Sequence, residues 1–133
     1  LFPVEHPEEM KKEKLPTYLE KQKLLYLKET PAEVLINIGN QLFEQGCYMD
    51  ALDFYHKSHN TEGLQNIRQV ATEQGDFFLF QKLIEMEREN PPTAAWEKLG
   101  EHAISLGKFL FALRAFEKAL NEIMSKKVRE LIK

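Results

Sequence analysis

The chain has 133 residues, a formal net charge of −3 at pH 7, 43% hydrophobic residues and 29% charged residues. These values are typical of one globular domain with a substantial core, and the negative charge argues against nonspecific attraction to nucleic acid or anionic membranes. A single cysteine excludes an internal disulfide, and no apolar run approaches the roughly 20 residues that cross a bilayer, so we predict a cytoplasmic protein without membrane insertion. No secretory signal is recognisable, and the start at Leu1 predicts a fragment or processed product.

The N-terminal part is predicted to contain a lead-in and one helix. Residues 1–14 combine two prolines with many Glu and Lys residues, which indicates an extended or poorly ordered segment. Residues 15–30 are predicted to form an N-terminal helix with Lys21, Lys23 and Lys28 facing solvent. The side of this helix predicted to face inward consists of Leu15, Tyr18, Leu19, Gln22, Leu25 and Tyr26. This helix is expected to cover the open end of the following unit or to complete an upstream one.

Residues 31–59 are predicted to form a helix, a turn at Gly46 and a second helix. Thr30, Pro31 and Glu33 are typical of a helix start, because a threonine N-cap and a following glutamate form a capping box. Small and large apolar residues recur at helical spacing on both helices. The packing positions of this unit are Leu35, Gly39, Ala51 and Tyr55.

Residues 61–89 predict a second, less regular unit with its turn at Gly75. Arg68 and Phe80 stand where the preceding unit has Gly39 and Ala51, so the middle unit is expected to pack differently. A strong break at Asn90-Pro91-Pro92-Thr93 then precedes a third unit, residues 92–120, with a turn at Gly107. The packing positions of the third unit are Trp96, Leu99, Gly100, Ala112 and Phe116.

The C-terminal residues 121–133 contain no glycine or proline. They are predicted either to extend the last helix of the third unit or to bend near Asn121 into a separate C-terminal helix. Apolar residues follow helical spacing throughout, and no segment alternates with the period of a strand. The predicted fold class is therefore all-α.

The third unit resembles the tetratricopeptide repeat (TPR), whose motif is W-x2-L-G-x2-Y followed by A-x3-F on a roughly 34-residue period. All five packing positions of the third unit match this motif, whereas Ala103 replaces its tyrosine. The first unit carries related residues at the same positions, and the middle unit is degenerate. The resemblance implies a TPR-like right-handed α-solenoid of about three helix-turn-helix units with flanking helices. It also implies a non-enzymatic scaffold for protein binding.

TPR-like proteins bind a peptide or a helix of a partner in a concave groove lined by the first helices of successive repeats. By position, the resemblance implies fifteen groove residues: Glu33, Ile36, Asn40, Phe43, Glu44, Glu62, Gln65, Gln69, Thr72, Glu73, Ala94, Glu97, Glu101, Ile104 and Ser105. Six of them are glutamates and none is basic, so charge complementarity favours a basic or neutral partner segment.

Some TPR proteins capture the C-terminus of a chaperone with a two-carboxylate clamp of lysine, asparagine and arginine residues. Asn40 and Asn66 match asparagines of that clamp, so Asn66 is a further candidate groove residue, and Lys98 stands at its arginine position. Ile36 and Ala94 replace its two lysines, which removes charge-assisted contacts to a carboxylate. We therefore predict that the chain does not bind a chaperone tail.

Residues with catalytic or metal-binding chemistry form no recognisable pattern. Asp53, His56 and His59 could share one side of a helix end, but structural zinc normally takes four ligands, so surface residues are favoured. Cys47 lies in a turn without an evident cationic neighbour to lower its pKa. No phosphate-binding loop, nucleophile elbow or metalloprotease motif is present. We predict no enzyme activity, no metal and no cofactor.

Three aromatic residues, Phe43, Phe78 and Phe111, fall outside the TPR packing positions. They either anchor a partner or are covered by neighbouring helices. Covering is favoured for Phe78 and Phe111, and neither alternative is favoured for Phe43. Two further functions stay open: a structural segment of a longer α-solenoid, of the vesicle-coat or ciliary-transport type, and self-association through residues 108–133.

Overall fold

The structure of the protein is a computed structural model that describes residues 15–27 and 29–133. Within these residues it contains eight α-helices, one π-helical segment (Lys23–Leu27) and no strand, which confirms the predicted all-α fold. The predicted lead-in and the predicted exposure of Lys28 lie outside the described residues. No helix in the described part of the chain is long and apolar enough to span a membrane. The helices are α1 (Tyr18–Gln22), α2 (Ala32–Glu44), α3 (Tyr48–Lys57), α4 (Thr61–Glu73), α5 (Phe77–Glu87), α6 (Thr93–Ser105), α7 (Phe109–Lys118) and α8 (Glu122–Ile132).

Helices α2 to α7 form three consecutive helix pairs with the same local geometry. The first helix of each pair has 13 residues and is followed by a glycine with positive φ: Gly46 (81°), Gly75 (59°) and Gly107 (74°). In each turn the backbone N–H after the glycine donates to a carbonyl at the end of the first helix, from Cys47 to Leu42, Asp76 to Ala71 and Lys108 to Ala103 (2.9, 2.8 and 2.8 Å). Each second helix is followed, within two residues, by a non-glycine residue with positive φ at the same spacing from the glycine: His59, Arg88 and Leu120.

The chain divides into two compact units, one ending at Gly63 and one running from Leu64 to Lys133. In the first unit, α2 packs on α3, and the phenol of Tyr55 donates a hydrogen bond to Asn40 Oδ1 at 2.7 Å. A Cβ atom at Gly39 would lie 2.8 Å from the Tyr55 ring, so this approach of the two helices requires glycine. The buried residues of this unit include Leu25, Leu35, Leu42, Ala51, Leu52, Phe54 and Tyr55.

The N-terminal segment differs from the predicted amphipathic helix. Thr17 caps α1 in a capping box with Glu20, and these hydrogen bonds lower the pKa of the Glu20 carboxyl group. After Gln22 the backbone changes from α to π geometry, so the helical spacing used for the prediction no longer applies. Leu25 is buried, but the predicted inward orientation is wrong for three large side chains, which are at least two-thirds exposed: Tyr18, Leu19 and Tyr26.

The start of α2 also differs from the prediction. Pro31 occupies the N-cap position, and no side-chain cap is formed there. The hydroxyl of Thr30 instead donates to the carbonyl oxygen of Leu24 at 3.1 Å. The predicted capping box with Glu33 is therefore wrong, because Thr30 satisfies a carbonyl group of the preceding π-helical segment.

Lys21 was predicted to face solvent but is half-buried in the first unit. Its ammonium group donates to Asp50 and lies 3.1 Å from Asp53 Oδ2, so it connects α1 to α3. Burial lowers the pKa of Lys21, but the hydrogen bonds to Asp50 and Asp53 outweigh this effect, so the pKa is raised overall.

We expect Lys21→Met to reduce the free energy of unfolding by about 0.5–1 kcal/mol near neutral pH, a range typical of partly exposed ion pairs. A raised pKa in the folded state means that this contribution is fully present below the ordinary lysine pKa of about 10.4 and is lost as pH rises through the folded-state value. Urea titrations of both proteins at neutral and strongly alkaline pH check this, with Lys23→Met as the exposed control. A difference that grows with pH would contradict the prediction.

The core of the second unit is built around Trp96. Its ring centroid lies 4.9 Å from that of Phe80 and 5.9 Å from that of Phe77, which joins α5 to α6. A Cβ atom at Gly100 would lie 2.7 Å from the Phe116 ring, so glycine lets α6 and α7 pack closely. The buried residues include Phe77, Leu79, Phe80, Leu83, Ile84, Trp96, Leu99, Ala103, Ala112, Ala115, Phe116 and Val128.

The C-terminal segment forms a separate helix rather than an extension of α7. Leu120 has a φ of 57°, and the side chain of Asn121 caps α8 by accepting a hydrogen bond from the Met124 N–H at 3.0 Å. Val128 is fully buried in a cluster that includes Ala103 and Phe116. Of the two alternatives for residues 121–133, the structure therefore has the bend near Asn121.

Candidate functional site

A polar cleft of about 610 Å³ lies between α4 and α6 in the second unit. These are the first helices of their pairs, on which the TPR resemblance predicts the groove residues. The cleft is lined by Gln65, Arg68, Gln69, Thr72, Glu73, Lys98 and His102. Spacings of three and four residues place these side chains on one side of each helix.

Arg68 is the most constrained side chain of the cleft. Its guanidinium group donates to Glu87 at 3.1 Å and to Glu89 at 2.6 Å, and it lies 5.8 Å from the centroid of the buried Phe80 ring. The Arg68 and Phe80 pair therefore replaces the glycine and alanine of the other two helix pairs with a cation held over an aromatic ring. This contact is the physical reason why the middle unit tolerates two large residues at positions where small ones were expected.

The remaining side chains of the cleft are arranged for hydrogen bonding. Gln69 donates to Glu73 at 3.1 Å, and the hydroxyl of Thr72 donates to the Arg68 carbonyl at 2.9 Å. Gln65 and Lys98 are exposed at the surface of the cleft. Their amide and ammonium groups can replace hydrogen bonds to water with hydrogen bonds to a ligand at a low cost in free energy.

The α4–α6 cleft includes basic residues that the positions taken from the TPR resemblance do not include. Those fifteen positions contain no basic residue, whereas Arg68, Lys98 and His102 line the cleft together with Glu73. The charge of Arg68 is paired with Glu87 and Glu89, so Lys98 is the cation of the lining that has no carboxylate partner among the described residues. Arg68 lies three residues after Gln65 and His102 four after Lys98. That helical spacing was the available signal for adding Arg68 and His102 to the predicted site.

The predicted groove residues of the first unit lie on or near its surface. Glu33, Asn40 and Glu44 are exposed, whereas Ile36 and Phe43 are half-buried. The amide oxygen of Asn40 is occupied by the Tyr55 phenol, so Asn40 stabilises the fold in addition to any contact with a ligand. Burial raises the pKa of Tyr55, and the charges of Glu44 and Glu62 add to this effect.

The predicted groove residues of the second unit are only partly brought together. Of that set, the α4–α6 cleft includes Gln65, Gln69, Thr72 and Glu73. Asn66 and Glu101 are exposed but do not line it, and Glu97 accepts a hydrogen bond from the Asn121 side chain at 2.8 Å. Glu97 therefore belongs to the contact between α6 and the start of α8. The other predicted positions that do not line the cleft are Ala94, Ile104 and Ser105.

The three aromatic residues outside the packing positions have different environments. Phe43 is half-buried, with its ring 5.1 Å from that of Tyr48. Phe111 is half-buried, but Phe78 is 57% exposed. The expectation that neighbouring helices cover Phe78 is therefore wrong.

Within the described residues, no three His, Cys, Asp or Glu side chains are placed to hold a metal ion together. Cys47 is exposed and reduced. The arrangement of the α4–α6 cleft suits reversible binding through hydrogen bonds and charge.

Comparison with known proteins does not assign the chain to a family. No family model matches the sequence, and no curated protein matches it significantly. The resemblance to the TPR family therefore stays a prediction that rests on the packing positions of the helix pairs.

Proposed function

We propose that the protein is a non-enzymatic scaffold of the TPR-like α-solenoid class that binds a peptide or helix of another protein. The α4–α6 cleft carries this proposal, because it is open, about 610 Å³ in volume and lined by hydrogen-bonding side chains. The repeated turn geometry of the three helix pairs also supports it, since repeat proteins of this class bind ligands on the surface formed by their first helices.

The proposed ligand of the cleft is a neutral or basic extended segment. The side-chain amides of Gln65 and Gln69 suit main-chain N–H and C=O groups, as each amide both donates and accepts. The charge of Arg68 is already paired with Glu87 and Glu89, and Glu73 adds a carboxylate to the lining, so the cleft offers little uncompensated positive charge to an acidic segment. In the first unit, the exposed Glu33 and Glu44 favour basic residues.

A peptide-display selection with a random library tests the proposal. The library is selected on the intact protein and counter-selected on Gln65→Ala/Gln69→Ala, so that only peptides requiring the cleft survive. We expect surviving peptides of neutral or positive charge, whose affinity falls at least about tenfold in the double variant, the loss of one to two well-made hydrogen bonds. Asn66→Ala, an exposed α4 residue outside the cleft, is the matched control.

Two results of this selection would contradict the proposal. One is the absence of any surviving sequence, and the other is enrichment of acidic peptides. Charge reversal at Glu97 is not a suitable alternative test, because Glu97 contacts the cap of α8. Glu101→Lys tests the acidic contribution of α6 without that contact.

Self-association through residues 108–133 is the second candidate function. An apolar cleft of about 430 Å³ between the start of α7 and the end of α8 favours it, with Leu110 and Leu131 more than half exposed. A longer α-solenoid would cover the same surface with a further helix. Sedimentation distinguishes self-association from the scaffold, because a dimer would show twice the mass and Leu110→Glu/Leu131→Glu would return it to a monomer.

A further inference from the structure

A second cleft of the same unit lies between α5 and α7, the second helices of their pairs. Its volume is about 360 Å³, and it shares no residue with the α4–α6 cleft. The lining residues are Phe77, Phe78, Gln81, Arg114, Glu117 and Lys118. This surface therefore combines aromatic rings with charged groups and lies on helices to which the proposed function assigns no ligand.

The exposed ring of Phe78 is held in a fixed position. It makes edge contacts with Phe77 at 5.6 Å and with Phe111 at 5.4 Å between ring centroids. A partner that covers this ring therefore loses little side-chain entropy on binding while burying a large apolar surface. Rigid aromatic residues of this kind commonly dominate the binding energy of interfaces.

The charged groups beside Phe78 include two exposed cations, Arg114 and Lys118. Glu117 accepts a hydrogen bond from Arg129 at 3.3 Å, whereas Arg114 lies 3.9 Å from Glu117, beyond hydrogen-bond distance. The Arg114 side chain is 67% exposed, and its long ion pair with Glu117 leaves the guanidinium N–H groups accessible to a ligand. Lys118 adds a second positive charge, 6.0 Å from the Trp96 ring centroid. The lining thus contains two cations, Arg114 and Lys118, and one carboxylate, Glu117, which is also bound by Arg129 of α8, so the cleft carries a net positive charge.

We propose that the α5–α7 cleft is a second docking site, for a protein segment that carries a carboxylate next to a large apolar side chain. The apolar side chain covers the Phe78 ring, and the carboxylate accepts two hydrogen bonds from the Arg114 guanidinium group. Gln81 donates to Glu85 and keeps its carbonyl oxygen to accept a main-chain N–H of the ligand. This ligand has the opposite charge from the segment expected at the α4–α6 cleft, so the scaffold would hold two different partner segments.

The same random peptide library tests this site under a different counter-selection, on Phe78→Ala/Arg114→Gln. We expect survivors to pair Asp or Glu with a large apolar residue within one helical turn. Phe78→Ala and Arg114→Gln should each weaken a synthetic survivor at least about tenfold, as expected for anchors at the centre of an interface. Arg114→Lys should recover only part of the loss, because lysine keeps the charge but not the two-pronged geometry.

Matched controls come from exposed residues of α8. Ile123→Ala and Lys126→Gln remove an exposed apolar side chain and an exposed cation, and we expect neither to change the affinity. Circular dichroism melting of Phe78→Ala should match the parent protein closely, which separates loss of binding from loss of folding.

Three outcomes would overturn the second docking site. The first is that no peptide survives the selection, and the second is that the survivors lack the paired acidic and apolar residues. The third is that the survivors bind Phe78→Ala as tightly as they bind the parent protein. If the surviving peptides fail to bind Gln65→Ala/Gln69→Ala, they occupy the α4–α6 cleft. That result would reject the second docking site and leave the proposed function in place.

Discussion

Gly75→Ala is expected to reduce the free energy of unfolding by about 3 kcal/mol, because it combines an unfavourable backbone conformation with a steric clash. Gly75 has a φ of 59°, and its added Cβ atom would lie 2.5 Å from Ala103 Cα and 2.6 Å from Ala103 N. A flexible side chain could move away from such a contact, but these are backbone atoms of α6. The turn between α4 and α5 therefore has no room for any residue except glycine.

Gly107→Ala is the matched control for this effect. Gly107 has a φ of 74°, but no atom lies within 4 Å of the position of its added Cβ atom. It should lose only about 1 kcal/mol, the conformational term alone. Urea denaturation followed by circular dichroism measures both variants and the similar Gly46→Ala. Equal losses in all three would show that Gly75 does not pack closely on Ala103.

We expect Phe116→Ala to reduce the free energy of unfolding by about 3–5 kcal/mol. Its ring is 1% exposed and lies in the cluster with Ala103, Ala112 and Val128 that anchors α8. Removing it leaves a cavity between α6, α7 and α8, which the surrounding helices cannot fill without breaking other contacts. Thermal or urea denaturation monitored by circular dichroism gives the loss directly.

Phe78→Ala is the control of the same residue type, since its ring is 57% exposed. We expect it to lose less than about 1 kcal/mol, as is usual for surface substitutions. A further check uses Gly100, whose added Cβ atom would meet the Phe116 ring at 2.7 Å. Gly100→Ala should therefore destabilise the parent protein more than it destabilises the Phe116→Ala variant, because that variant lacks the ring that causes the clash. Strict additivity of the two changes would contradict this packing.

Features that depend on neighbouring residues in the chain were predictable. Helical spacing of apolar residues indicated helices throughout, and Gly46, Gly75 and Gly107 marked turns, because each adopts a positive φ that other residues adopt only at a cost. The end of α7 carried no such mark, since Leu120 takes the same conformation without being glycine. Both alternatives for residues 121–133 were compatible with its helical spacing.

Features that depend on contacts between helices were decided only by the tertiary structure. Lys21 meets two aspartates of α3, an approach that the amphipathic pattern of residues 15–30 did not indicate. Arg68 covers Phe80 and joins Lys98 in one cleft, so the charge of that surface differs from the charge counted along single helices.

The amino-acid sequence by itself determined the fold class and the positions of the turns, because helix periodicity and glycine conformation are local properties. It also indicated which positions are packed tightly, since Gly39 and Gly100 occupy corresponding positions on the first helices of their pairs, and the second helices carry Tyr55 and Phe116 at corresponding positions. Only the tertiary structure decided which exposed side chains lie together. The reason is that Phe78 and Arg114, far apart in the chain, meet only when α5 packs beside α7.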